Sequence, residues 1–172
     1  MDELRLRGQS LGLLSMLAIQ FILGMILDLF VELPKQHAGT TGGFFSRALH
    51  GFIWALSSGG GIVLTLHVLV AIGLLLGSIG LIIRSAVLGS KFWLSISIAG
   101  ALGIFTALTN GLAFIGYSND VNSFVMAIGF IVTTVAYTTG LAAGDNPFKQ
   151  TSLRKGHSSK NLASGRYRTS HS

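Results

Sequence analysis

Apolar residues run almost unbroken through four stretches of the chain: Leu11–Val31, Ile62–Ile83, Phe92–Tyr117 and Val121–Ala142. Crossing a bilayer core takes about 20 mostly apolar residues, roughly 30 Å at 1.5 Å per helical residue. Each stretch is long enough, and together they fill more than half of the chain. The pattern predicts an all-α integral membrane protein with four spans, at about 11–31, 62–83, 92–117 and 121–142. The links Arg84–Lys91 and Ser118–Asp120 are short, so the spans should form an up-down four-helix bundle over residues 1–144.

The link from Glu32 to Gly61 is much longer. Between its glycine-rich breaks, Gly39–Gly43 and Ser57–Gly61, lies Phe44–Leu56. There Phe44, Phe45, Ala48, Leu49, Phe52, Ile53 and Leu56 recur at the spacing of one helical face. Ser46, Arg47 and His50 lie on the other side, and Trp54 suits the headgroup level. This predicts a short amphipathic helix at 44–56, lying in the outer interface or closing the bundle mouth as a reentrant piece.

Small residues mark the expected contact faces. Gly73, Gly77 and Gly80, with Arg84, fall on one stripe of the second span, and Gly100, Gly103, Ala107 and Gly111 fall on one stripe of the third. Lipid supplies no hydrophobic drive for helix association, so such stripes work by letting backbones approach. On the fourth span, the hydroxyls of Thr133, Thr134, Tyr137, Thr138 and Thr139 are expected to bond back to the preceding turn.

Charge adds an orientation. The segment 145–172 holds Lys149, Arg154, Lys155, Lys160, Arg166 and Arg168 against one acid, so it carries +5 of the net +6. With the N-terminus inside, ten basic residues are cytoplasmic, and only Lys35 and Arg47 are external. The positive-inside rule therefore puts both termini in the cytoplasm of a cell membrane. The tail has few large apolar residues and reads as disordered. Its spread charges, without an aromatic platform, are explained by anionic lipid and do not point to nucleic acid. The first stretch is too long for a signal-peptide core and reads as a retained span.

Composition then removes whole classes of chemistry. The absence of cysteine excludes disulfides, thiolate metal sites, iron–sulfur clusters and covalently attached haem. No G-x-x-x-x-G-K-[ST], G-x-S-x-G or H-E-x-x-H motif occurs. Without an internal repeat or a span broken at the midplane, a transporter is disfavoured. A non-enzymatic module is expected, with the lipid bilayer and other membrane proteins or a second copy as partners.

What remains is a handful of polar groups inside the oil. Asp28 and Glu32 lie near the outer end of the first span, and His67 is five residues into the second. Asn110 is seven residues before the end of the third, while Asn119, Asp120 and Asn122 crowd the outer turn. Antiparallel spans bring all of them to the outer leaflet, which makes Asp28, Glu32, His67, Asn110 and Asp120 the candidate ligand-binding cluster. Polar groups in hydrocarbon face the bundle interior or a cavity. Three uses are open: an internal hydrogen-bond set, an outward-facing site for a ligand, ion or proton, or a b-type haem or other metal. The last would take His67, with His50 or His37 as further ligands.

Several short runs also carry a resemblance. They are Leu23-Gly24-Met25, Phe30-Val31-Glu32-Leu33-Pro34, His37-Ala38-Gly39, Trp54, Leu66-His67 with Gly73, and Asn110-Gly111 through Phe114, Asn119-Asp120, Ser123 and Met126. Over roughly residues 20–140 the chain resembles an uncharacterised family of small four-span bacterial membrane proteins. The resemblance implies the fold and a bacterial cell membrane but no activity. This chain has Asp28 where the family pattern has Asn.

Overall fold

The structure, a computed structural model, describes residues 2–32, 41–57, 59–117 and 120–143. The tail from 145 onward, His37 and Asn119 lie outside the described residues. Five helices are present, α1 (Asp2–Phe30), α2 (Phe44–Leu56), α3 (Gly61–Val87), α4 (Lys91–Tyr117) and α5 (Asp120–Ala143), and no strand occurs among the described residues. All but α2 are long and apolar enough to cross a membrane. Met1–Leu141 forms one compact unit; Ala142–Ser172 forms a second, of which only the two residues ending α5 are described.

Helix α1 begins nine residues before its apolar stretch. Hydropathy marks the oil and not the helix: Leu6, Ser10, Leu13 and Leu17 make one buried stripe that ignores the polar residues between them. The Gln9 amide donates to the Gly77 carbonyl (2.9 Å), tying this early part of α1 to α3.

The glycine stripe of α3 receives α1. A Cβ at Gly73 would meet Met16 Cε at 2.7 Å, one at Gly77 would meet Leu13 Cδ2 at 2.7 Å, and one at Gly80 would meet Gln9 Nε2 at 3.2 Å. Residue numbers fall along α3 as they rise along α1, so the two run antiparallel. The α3–α4 turn uses Gly89 at φ +65°, a conformation that favours glycine, and the Ser90 side chain accepts from the Trp93 N–H (3.4 Å) as α4 begins. Within this pair the Ser85 and Ser97 hydroxyls share a hydrogen bond of 3.0 Å.

On α4, Gly100 and Gly103 receive α5. Tyr137 lies across Gly100, and a Cβ at Gly103 would lie 2.6 Å from the Gly129 carbonyl oxygen. Contacts of α1 with α5 complete the ring: Phe21 and Phe130 stack with centroids 5.5 Å apart, and the Arg7 guanidinium donates to the Leu141 carbonyl (3.1 Å). This is a helical bundle with antiparallel neighbours. Its main core joins Leu6, Leu13, Leu17, Leu74, Leu81, Trp93, Ile104 and Tyr137.

The α5 hydroxyls depart from expectation at Thr133 and Tyr137, and Thr139 makes no bond back to its helix among the described residues. Thr134 and Thr138 do bond back to their own helix. Thr133, however, also donates to the Gly100 carbonyl (3.1 Å), because the glycine contact brings that carbonyl within reach. The Tyr137 hydroxyl has no partner, since its ring extends across α4 and away from its own backbone.

Helix α2 has the bounds the periodicity predicts, and it packs through Gly51 and Ala55 with Phe52, Trp54 and Leu56 beside them. Gly51 and Ala55 are buried, with Ile115 Cγ2 against Gly51 and Thr65 donating to the Ala55 carbonyl (2.8 Å). Phe45, Leu49 and Ile53 point away from the bundle. The Trp54 indole, expected at headgroup level, is half-buried and covers Gly59 and Gly60, where missing side chains leave room for it. The Arg47 guanidinium sits over the Tyr117 ring, 4.5 Å from its centroid, and fixes the other end of α2.

Candidate functional site

Two half-buried polar side chains meet where α1 and α3 cross at Gly24. The Gln20 amide nitrogen lies 2.9 Å from His67 Nε2. A Cβ on Gly24 would touch the imidazole Cε1 at 3.4 Å, so the missing side chain lets the ring lie against α1. Beside His67 and one turn toward the α2 end, Val68 and Leu64 pack with Leu27, Ala55 and Ile115 in a second core. His67 thus sits about 9 Å along α3 from its start, at 1.5 Å per residue.

The pair is incompletely satisfied. Gln20 Oε1 and His67 Nδ1 are both buried and have no hydrogen-bond partner among the described residues. With the amide nitrogen donating to Nε2, the ring proton is on Nδ1, which leaves an unpaired donor there and an unpaired acceptor at Oε1. Turning the amide over exchanges the two roles: the amide nitrogen then has the spare donors, and Nδ1 becomes the spare acceptor. Either way an unused donor and an unused acceptor belong to one bonded pair. Buried polar atoms are nearly always paired, and an unpaired one costs about 1–3 kcal/mol.

The five-residue cluster expected from the sequence does not assemble around His67. Asp28, Glu32 and Asp120 are exposed, and among the described residues no hydrogen bond joins any of them to His67. Asn110 is half-buried and donates to the Thr106 carbonyl of its own helix (2.9 Å). All four stand toward the α2 end of the bundle, but a shared level does not give a shared direction. Every four residues turn a helix on by about 40°, so by Asp28 the stripe that starts at Gln20 has rotated by about 80°. Leu27 packs inward there and Asp28 faces out. A carboxylate so close to the helix end reaches headgroup water more cheaply than it enters the bundle. Asp120 opens α5, where an acid suits the positive end of the helix dipole.

Of the expected metal ligands, only His67 and His50 are described. His50 is exposed, and its ring donates from Nδ1 to the Ser46 carbonyl (2.8 Å). His37 lies outside the described residues. Among the described residues no three His, Asp or Glu side chains converge on a point that holds a metal ion.

Gln20 is the partner that a search for ionisable groups overlooks. The signal was available, because it is the single amide in the Leu11–Val31 stretch. Ser10 and Tyr137 also carry buried, unpaired hydroxyls in the bundle, but neither is joined to a second unpaired group. Searched against protein-family models, curated proteins and solved structures, the chain matches none.

Proposed function

We propose that this chain is a non-enzymatic, small-ligand-sensing or interaction module of the bacterial cytoplasmic membrane, crossing it four times with both termini cytoplasmic. The observation that carries the sensing reading is the Gln20–His67 pair, with its spare donor and acceptor inside the bundle. The ligand class that fits is a small neutral molecule bearing both functions on one edge, such as a primary amide or a protonated carboxylic acid. Helix α2 serves as an external cover, its Phe45, Leu49 and Ile53 side chains entering the interface. Uptake of ligand is tested with the protein labelled with 15N at histidine, reconstituted, and titrated with acetamide and acetic acid. A saturable shift of the His67 ring nitrogens is the expected result, and their indifference to both probes would refute the reading.

The orientation rests on the ten-to-two distribution of basic residues. Because the chain has no cysteine, single-cysteine variants test it cleanly. Ser57→Cys should react with a membrane-impermeant maleimide in intact spheroplasts, and Ser90→Cys only after permeabilisation. The reverse pattern would turn the topology over.

Three described contacts count against the alternative, a b-type haem electron carrier. Gln20 is bonded to His67 Nε2, the α1 backbone at Gly24 lies along the ring, and His50 is tied to its own helix. Protein purified from haem-replete cells should be colourless. A Soret band that disappears in His67→Ala would reinstate the redox reading.

A further inference from the structure

At the end of the bundle away from α2, the first turns of α1 and the last turns of α3 border an open groove of about 430 Å³. It is lined by Arg5 and Arg84 together with Leu6, Ile83, Val87 and Leu88. We propose that this groove is a binding site for one anionic phospholipid, its phosphodiester between the two guanidinium groups and an acyl chain along the aliphatic rim. The inference rests on the proposed membrane setting and adds a specific lipid class to it.

Three features of the groove point to this ligand. First, no acid lines it, and among the described residues neither Arg5 nor Arg84 forms an ion pair. Two neighbouring guanidiniums repel each other, and a phosphodiester between them removes the repulsion while accepting charge-assisted hydrogen bonds. Second, Arg84 is held in place. Its Nη1 donates to Gln9 Oε1 (3.0 Å), and the Gln9 amide nitrogen is itself fixed on the Gly77 carbonyl (2.9 Å). One N–H is spent on that bond, and the rest of the fork remains for an anion. Third, the lining is mostly aliphatic. Leu6 is buried beneath the groove, whereas Ile83 and Val87 are 57% and 81% exposed on its flank. A free phosphate would leave those side chains unused; an acyl chain covers them. Basic pockets between spans at the cytoplasmic side are where anionic headgroups are held.

The test uses the full chain in a neutral detergent, titrated with phosphatidylglycerol, phosphatidylcholine or inorganic phosphate and read by native mass spectrometry and thermal shift. Each basic residue near an anionic headgroup contributes about a factor of five, so phosphatidylglycerol should bind one site roughly 25-fold more tightly than phosphatidylcholine. Millimolar phosphate should leave the melting temperature unchanged. In R5Q/R84Q, which keeps every basic residue of the tail, the preference should fall to near unity. Val87→Glu leaves both arginines in place on an exposed position, and should weaken phosphatidylglycerol at least fivefold by repulsion at the rim, which keeps the test decisive if the double variant folds poorly. Equal binding of the two lipids would overturn the proposal. So would a double variant that keeps the preference, or phosphate alone reproducing the stabilisation, which would mark a site for a free anion.

Discussion

Gly129→Val should strongly destabilise the bundle, while Gly12→Ala leaves it at least as stable as before. A Cβ at Gly129 would lie 2.5 Å from the Gly103 carbonyl oxygen and 2.9 Å from the Ala107 nitrogen. Both are backbone atoms of α4, so no side chain can swing aside. The opposing contact is as tight, with a Cβ at Gly103 2.6 Å from the Gly129 oxygen and 3.0 Å from the Thr133 nitrogen. Separating the helices there would also break the Thr133 bond to Gly100 and lift Tyr137 off α4. Overpacking a core costs about 1–3 kcal/mol and more where nothing yields. At the top of that range the melting temperature should drop by roughly 10 °C, since about 2–4 °C is lost per kcal/mol in a chain of this size. Gly12 has nothing within 4 Å of its Cβ position, and alanine improves helix propensity by about 1 kcal/mol. Gly73→Ala should fall between the two, because only the mobile end of Met16 opposes it. Thermal unfolding followed by circular dichroism in detergent orders the three. If Gly129→Val melts within 2 °C of the parent, α4 and α5 are not packed backbone to backbone.

The long helices were legible because hydropathy and helix length measure the same thing inside a membrane. Their contact faces were legible for a related reason: without a hydrophobic drive between spans, only small residues allow close approach, so glycine spacing reports packing directly. The start of α1 was not legible. Leu6 and Ser10 continue its buried stripe into a segment whose average polarity hides the helix. For α2 the periodicity gave the bounds, but its apolar face divides: Phe52 and Leu56 pack on the core while Phe45, Leu49 and Ile53 face away, since bulky apolar residues suit lipid as well as protein. There Gly51 and Ala55, too small to stand out in a hydropathy pattern, are the fully buried residues of the contact. The polar site was misread by the same kind of error. Depth along a span follows from counting, but the direction of a side chain depends on which residue the neighbouring helix accepts. Leu27 took the place expected of Asp28, and the neutral amide of Gln20, closer to the middle of α1, reached His67.

Replacing Gln20 and His67 together should do less harm to the fold than replacing either alone, yet abolish the site. In Gln20→Leu the imidazole loses its one hydrogen-bond partner, and in His67→Leu the amide does. Each single change strands a buried polar group, at about 1–3 kcal/mol in soluble proteins. Between membrane helices such couplings average about 0.6 and reach about 1.7 kcal/mol, so roughly 1 kcal/mol is expected for each single variant. The double variant removes both polar groups, including the unpaired Gln20 Oε1 and His67 Nδ1, and replaces them with apolar bulk. Its melting temperature should return to the parent value or exceed it, because two standing desolvation penalties vanish with the bond. A double-mutant cycle measures this directly, with positive coupling as the signature of the pair. The contrast with function gives the cycle its meaning. A pair kept for packing alone would be improved by leucine at both positions, at no loss. A pair kept for a ligand holds unpaired atoms at a cost to stability, and the stable double variant should show no saturable interaction with acetamide or acetic acid. Additive losses in the cycle would show that Gln20 and His67 act independently, and the site would then have no receptive centre.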